Sequence, residues 1–207
     1  MFVRSTEAEL APDRLDDLVG ALRPAIELVS QEQGYAGLSL LANRASGAIV
    51  ILTYWQSLEA VQASEAGSSD WLSSLQVNVP GLKINQVDQG EFVLDERVVP
   101  PRVNTFAYTI DMRVSPDQVD QLVKFVRESL LAPLRAQPGF CGALMSANRE
   151  SGRTLANTIW DSVAEMEASE AVHAPVRMRA QELAGKSNVT VGSYEAVLLA
   201  PKGTAPA

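Results

Sequence analysis

GYAGLSLLANRASGAIVILTYWQSLEAVQASEA, residues 34–66, returns as GFCGALMSANRESGRTLANTIWDSVAEMEASEA, residues 139–171, at a constant offset of 105 and with no gap. Fourteen of the 33 positions are identical, among them Gly34/Gly139, Asn43/Asn148, Arg44/Arg149, Gly47/Gly152, Thr53/Thr158, Trp55/Trp160 and Ser64/Ser169. An internal repeat of this length makes the chain a tandem duplication of a unit of about 100 residues.

Working outward, each copy reads as strand, helix, strand, strand, helix, strand. Phe106, Tyr108, Ile110, Met112 and Val114 alternate with more polar neighbours, the period-2 pattern of a half-buried strand. Phe2–Leu10 matches it at offset 104, with Arg4 standing where Tyr108 is. Ser115-Pro116-Asp117 carries the hydroxyl, proline and acid of a helix start. Val119, Leu122, Val123, Val126 and Leu130 then mark one helical face, and Leu15, Leu18, Val19, Leu22 and Ile26 repeat that spacing. Pro24 and Pro133 are expected to kink or end these helices. The Asn-Arg-x-Ser-Gly segments are rich in turn formers and read as hairpins or, alternatively, as anion nests. Ser57 and Ser162 sit where the N-cap of the second helix belongs.

The βαββαβ order is that of the ferredoxin-like plait, whose helices cover one sheet face and leave the other bare. The expected fold is therefore α+β: two tandem ferredoxin-like βαββαβ repeats packed sheet-to-sheet as an intramolecular α+β barrel. The expected parts are a first repeat at 1–95, a stiff linker at 96–103 containing Pro100-Pro101, a second repeat at 104–200 and a frayed tail at 201–207. A chain that contains both halves is expected to be a monomer with pseudo-dimeric symmetry.

Charge divides unevenly. Residues 1–100 hold six Lys/Arg and 14 Asp/Glu, whereas residues 101–207 hold eleven of each. A first half with a net charge of −8 argues against a nucleic-acid partner, whose phosphates require basic patches. No apolar run approaches the roughly 20 residues needed to span a bilayer, so no membrane role is expected. One cysteine, Cys141, leaves no internal disulfide or cysteine metal cluster and reads as an inert buried thiol. The N-terminus lacks a signal-peptide layout, and the cytoplasm is the expected compartment.

Pro138-Gly139-Phe140 before strand two, Trp160-Asp161-Ser162 at the end of strand three, and their echoes Gln33-Gly34-Tyr35 and Trp55-Gln56-Ser57 resemble the antibiotic-biosynthesis-monooxygenase-like domains of the dimeric α+β barrel superfamily. The Ala-Ser-Glu-Ala stretches of both second helices resemble them too. The resemblance implies this fold. It also implies either cofactor-independent oxidation of an aromatic, polyketide-like molecule or a non-catalytic barrel that binds small molecules or serves a stress response. Haem-degrading members of similar fold use an Asn on strand one and a Trp and a His about three turns apart on the second helix. Here those places hold Thr109 or Ile110, Ser169 and Met178, with Ser64 and Ser73 in the first repeat, so that triad does not carry over.

Three residues that differ between the copies stand out as site candidates in the second one. Tyr108 replaces Arg4, Asn157 replaces Leu52 and His173 replaces Ser68. In a cofactor-free monooxygenase Tyr108 would position the substrate, Asn157 would orient its oxygens and His173 would act as acid or base. The alternatives are a capped or solvated histidine and an asparagine bonded to a neighbouring side chain. With one histidine and no cysteine partner, no metal is expected. No nucleotide-binding glycine motif is present and no cofactor is expected, although a flavin held by another route stays open. The expected ligand is an apolar or aromatic small molecule.

Overall fold

The computed structural model describes residues 1–184 and 189–202. Eight strands, paired antiparallel, and their helices make an α+β fold. The first repeat supplies β1 (Phe2–Glu9), α1 (Leu15–Val29), β2 (Tyr35–Ala42), β3 (Ala48–Trp55), α2 (Leu58–Ala63), α3 (Glu65–Asn78) and β4 (Lys83–Arg97). The second supplies β5 (Phe106–Arg113), α4 (Val119–Phe125), α5 (Leu131–Arg135), β6 (Phe140–Ala147), β7 (Arg153–Trp160), α6 (Val163–Ala168), α7 (Glu170–Ala184) and β8 (Val189–Pro201).

The compact units do not coincide with the sequence repeats. Unit one is Met1–Gln89 with Tyr194–Ala207, and unit two is Gly90–Ser193. The reason is strand exchange. Residues Glu91–Arg97 of β4 pair with β6 inside unit two, and Glu195–Pro201 of β8 pair with β2 inside unit one. The stretch expected as linker from 96 thus begins as strand. Of the expected tail, Pro201 belongs to β8, and residues 203–207 lie outside the described residues.

Within each unit the period-2 pattern sorts the strands into two faces. In unit one, Ala8, Ile49, Ile51, Trp55, Leu38, Leu40 and Ala42 join Leu15, Leu18, Leu22 and Ile26 of α1 in the core. In unit two, Ile110, Met112, Met145 and Trp160 join Val119, Leu122 and Leu134. Ser57 and Ser162 cap α2 and α6 as expected, accepting from Ala60 N and Glu165 N, both at 3.2 Å. Ser115 makes no such bond; Pro116 opens a 3-10 turn instead.

The hairpins owe their form to turn chemistry. Asn43 Oδ1 accepts from Ala45 N and Ser46 N, and Asn148 Oδ1 accepts from Glu150 N and Ser151 N. These amides are the ones an anion nest would have used. Gly47 and Gly152 then adopt φ of +78° and +72°, where a Cβ would stand 2.0 Å from Leu10 O and 1.9 Å from Val114 O.

Two helical details depart from the expectation. The helices do not end at Pro24 or Pro133, since α1 and α5 run through them. Gly20, whose carbonyl loses its partner to Pro24, is exposed to water. The second departure is a π-helical segment, Val126–Leu130, between α4 and α5. It explains why the repeat offset changes from 104 before it to 105 after it. A π turn absorbs one extra residue, so Leu134 keeps the buried position that Val29 holds in the first repeat. Deleting the exposed Ser129 should therefore restore a continuous α-helix with every later residue still in register, shifting Tm by less than about 5 °C. Deleting Gly20 from α1, which has no residue to spare, should lower Tm by more than about 10 °C. Circular dichroism melts of the two variants check this, and equal losses would refute it.

Candidate functional site

The site in unit two is built on the end of β7. Trp160 is fully buried, edge-on to Phe140 at 5.5 Å between ring centres. An indole N–H can only donate, and at depth it must find an acceptor. Trp160 Nε1 donates to Thr158 Oγ1 at 3.0 Å. Thr158 Oγ1 also lies 2.8 Å from His173 Nε2, and Ser169 Oγ lies 3.2 Å from His173 Nδ1. Ser169 donates its hydroxyl proton to the Met166 carbonyl at 2.6 Å, so its oxygen accepts from Nδ1–H. The neutral ring then leaves Nε2 to accept from the Thr158 hydroxyl, which assigns the Nδ1–H tautomer.

His173 is 1% exposed, and burial is the chief cause that pushes its pKa down to about 4. It is neutral at physiological pH with both nitrogens occupied. Tyr108, directly opposite Thr158 on β5, stacks on the imidazole at 4.4 Å with the ring planes 17° apart. The tyrosine is half-buried, and its hydroxyl accepts from Arg177 Nη1 at 2.7 Å. Arg177 also pairs with Glu170 at 2.5 Å, two turns earlier on α7. Burial raises the Tyr108 pKa against the opposing pull of the Arg177 hydrogen bond and charge, so the group is a neutral phenol. Arg177 holds the Glu170 carboxyl below its ordinary range.

The strand register brings Tyr108 and His173 together and sets Asn157 apart. Asn157 lies opposite Thr109, and alternation turns both toward the sheet face away from His173. Its Oδ1 accepts from Thr109 Oγ1 at 2.7 Å, so the amide is bonded to a neighbouring side chain. The same face carries Arg153, 5% exposed, whose Nε and Nη2 meet Asp111 at 3.0 and 2.7 Å. Both His173 nitrogens are engaged by hydrogen bonds and burial keeps the ring neutral, so neither nitrogen stands free for the acid/base role expected of it.

Thr158, Ser169, Glu170 and Arg177 were not singled out in the sequence. Thr158 and Ser169 were visible as identities of the repeat, and Arg177 as the replacement of Leu72. Cys141 is buried and donates to Asp161 Oδ1 at 2.7 Å. Burial, with Asp161 adding to it, pushes its thiol up to about 12, as befits an inert group. Where haem-degrading members would place their helical Trp and His, Ser169 is committed to the Met166 carbonyl and Met178 is 58% exposed. These residues do not fit haem. Among the described residues no group of three or more His, Cys, Asp or Glu could hold a metal ion, and no helix is long and apolar enough to cross a membrane.

Residues 1–69 match the family model for antibiotic biosynthesis monooxygenase. The likeness to that family is thus carried by the first third of the chain. An uncharacterized protein of Mycobacterium tuberculosis (strain ATCC 25618 / H37Rv) is 26% identical over 197 residues, 94% of this chain and 83% of that one. Among solved structures, an anthrone oxidase-like protein superposes with a TM-score of 0.72 at 14% identity, covering 98% of this chain and 94% of the other. The heme-degrading enzyme of Listeria monocytogenes superposes with a TM-score of 0.56 at 9% identity, covering 95% of this chain and 99% of its own. At these identities the two structures speak for the α+β fold. They do not extend to chemistry.

The titration of His173 has a measurable sign. Its folded pKa lies below that of the unfolded chain, so the native state stays neutral while the unfolded state takes up a proton. Stability should fall as pH drops from about 6.5 toward 4, by up to about 3 kcal/mol. Urea unfolding of the wild type and of His173→Gln at intervals across that range should show the difference between them shrinking toward acid. A difference that does not vary with pH would contradict the assignment.

Proposed function

We propose that this chain is a monooxygenase-like protein that binds a phenolic or polyketide-like aromatic molecule at the Tyr108–Arg177 end of unit two and oxidises it with molecular oxygen, without a bound cofactor. The observation that carries this reading is the half-buried phenol of Tyr108, planted on a dry, neutral imidazole and capped by a cation. Arg177 would stabilise the phenolate or enolate form of the substrate, lowering its pKa so that the reactive carbanion forms near neutral pH. Tyr108 would position the ring and donate to a substrate oxygen. Glu170, ion-paired to Arg177, is the carboxylate of this cluster and would hold the guanidinium in place. His173 holds Tyr108 in place and is a positioning residue. Asn157 lies outside this cluster and would serve the sheet. The neutral charge balance of the second half suits an anionic ligand better than the acidic first half does. We further propose a cytoplasmic monomer, consistent with a chain that carries both repeats; light scattering at 22.3 kDa would bear this out.

A second reading is a binding protein without turnover. The closed hydrogen-bond chain through His173 favours it, because no buried base is left free. An oxygen electrode with a hydroxyanthrone probe, run beside a tryptophan-fluorescence titration of the same probe, separates the two. Turnover should fall about 10- to 100-fold in Arg177→Gln and clearly in Tyr108→Phe, and stay within about twofold in Asn157→Leu. Binding without oxygen uptake would favour the second reading. Indifference of both signals to Arg177→Gln would sink the site.

A further inference from the structure

The two helix–sheet junctions share one frame and differ in what fills it. Trp55 Nε1 donates to Thr53 Oγ1 at 3.0 Å, the same bond and length as in Trp160–Thr158. Ser64 Oγ donates to the Val61 carbonyl at 2.9 Å, as Ser169 does to Met166. In unit two the filler is the His173 ring, 5.9 Å from the Trp160 ring centre and bonded to Ser169. In unit one it is the Arg4 guanidinium, 5.8 Å from the Trp55 ring centre. Arg4 donates to Ser64 Oγ at 2.9 Å, to the Val61 carbonyl at 2.5 Å and to Ser68 Oγ. Ser68 holds the helical position of His173, and Arg4 the strand position of Tyr108. A planar nitrogen group thus reaches the same place in both junctions, from the helix in one and from the strand in the other.

The exchange closes the junction. Tyr108 is half-buried and ends on the partly exposed Arg177. Arg4 is buried, and the buried apolar Leu72 stands where Arg177 is. A buried guanidinium is costly unless its donors are met, and hydroxyls, a carbonyl and an indole face meet this one.

We infer that the first repeat is a closed copy of the second repeat's site: Ser64, Ser68, the Val61 carbonyl and the Trp55 face form a guanidinium-binding pocket that Arg4 fills permanently, leaving one open ligand site per chain. The count of one open site rests on the proposed function; the guanidinium pocket does not. Arg4→Ala empties the pocket and leaves three buried acceptors without their donor. The variant should melt about 5–10 °C below the wild type. Guanidinium chloride at millimolar, sub-denaturing concentrations should restore Tm along a saturable curve, while sodium chloride and tetramethylammonium chloride should not. The wild type should show no such rise, and adding Ser68→Val to Arg4→Ala should weaken the recovery severalfold. If Arg4→Ala does not fold alone, saturable guanidinium-dependent refolding is the same result by another readout. Absence of saturable recovery in both readouts, or equal recovery by tetramethylammonium, overturns the inference. A negative oxygen assay at unit two leaves this outcome unaffected, so the two failures can be told apart.

Discussion

A buried indole N–H that must find an acceptor organises both halves of this molecule. Trp55 and Trp160 close the third strand of each repeat, and each donates to the threonine two residues earlier on the same face. That bond consumes a lone pair of the threonine. In unit two the run continues through His173 and Ser169 to the Met166 carbonyl, one directed chain of four hydrogen bonds. Every side chain in that run but one is an identity of the repeat, Met166 lending only its backbone. His173 is the exception, and the chemistry of the two halves diverges at that position.

The divergence is a trade of volume and charge. Tyrosine with histidine, or arginine with serine, completes the same polar frame beside the corresponding tryptophan. The first pairing leaves a hydroxyl near the surface beside a cation. The second buries a positive charge inside the half that carries the chain's net negative charge. Long-range attraction from Glu65 and Glu32 opposes the burial that lowers the Arg4 pKa. Only the first pairing offers an outward polar group to a ligand.

Much of the fold was legible because it follows from local rules that a repeat states twice. Alternation defined the strands, glycine and asparagine defined the hairpins, and Ser57 and Ser162 defined the starts of the second helices. Even the change of offset from 104 to 105 was present in the sequence, though its meaning, a π turn at Val126–Leu130, required the helix to be seen. The prolines left a kink and an end as alternatives, and the helices do not end there; the cost depends on whether the orphaned carbonyl meets water, which local sequence does not state. The compact units differ from the sequence repeats for a similar reason. Strand exchange by β4 and β8 is a matter of which edges pair, and edges pair through backbone groups that every residue carries.

The sequence by itself determined the duplication, the βαββαβ order of each copy and the positions at which the copies differ, since all of these are set by local periodicity and by comparing one half with the other. Only the tertiary structure decided which of the differing residues meet. Tyr108 and His173 are 65 residues apart and touch because a strand face and a helix face pack together. Asn157 is adjacent in sequence to Thr158, yet it turns away because successive side chains of a strand point to opposite faces. The state of His173 was decided there as well: its pKa and tautomer come from burial and from the direction of its neighbours' hydrogen bonds, neither of which is a property of the residue alone.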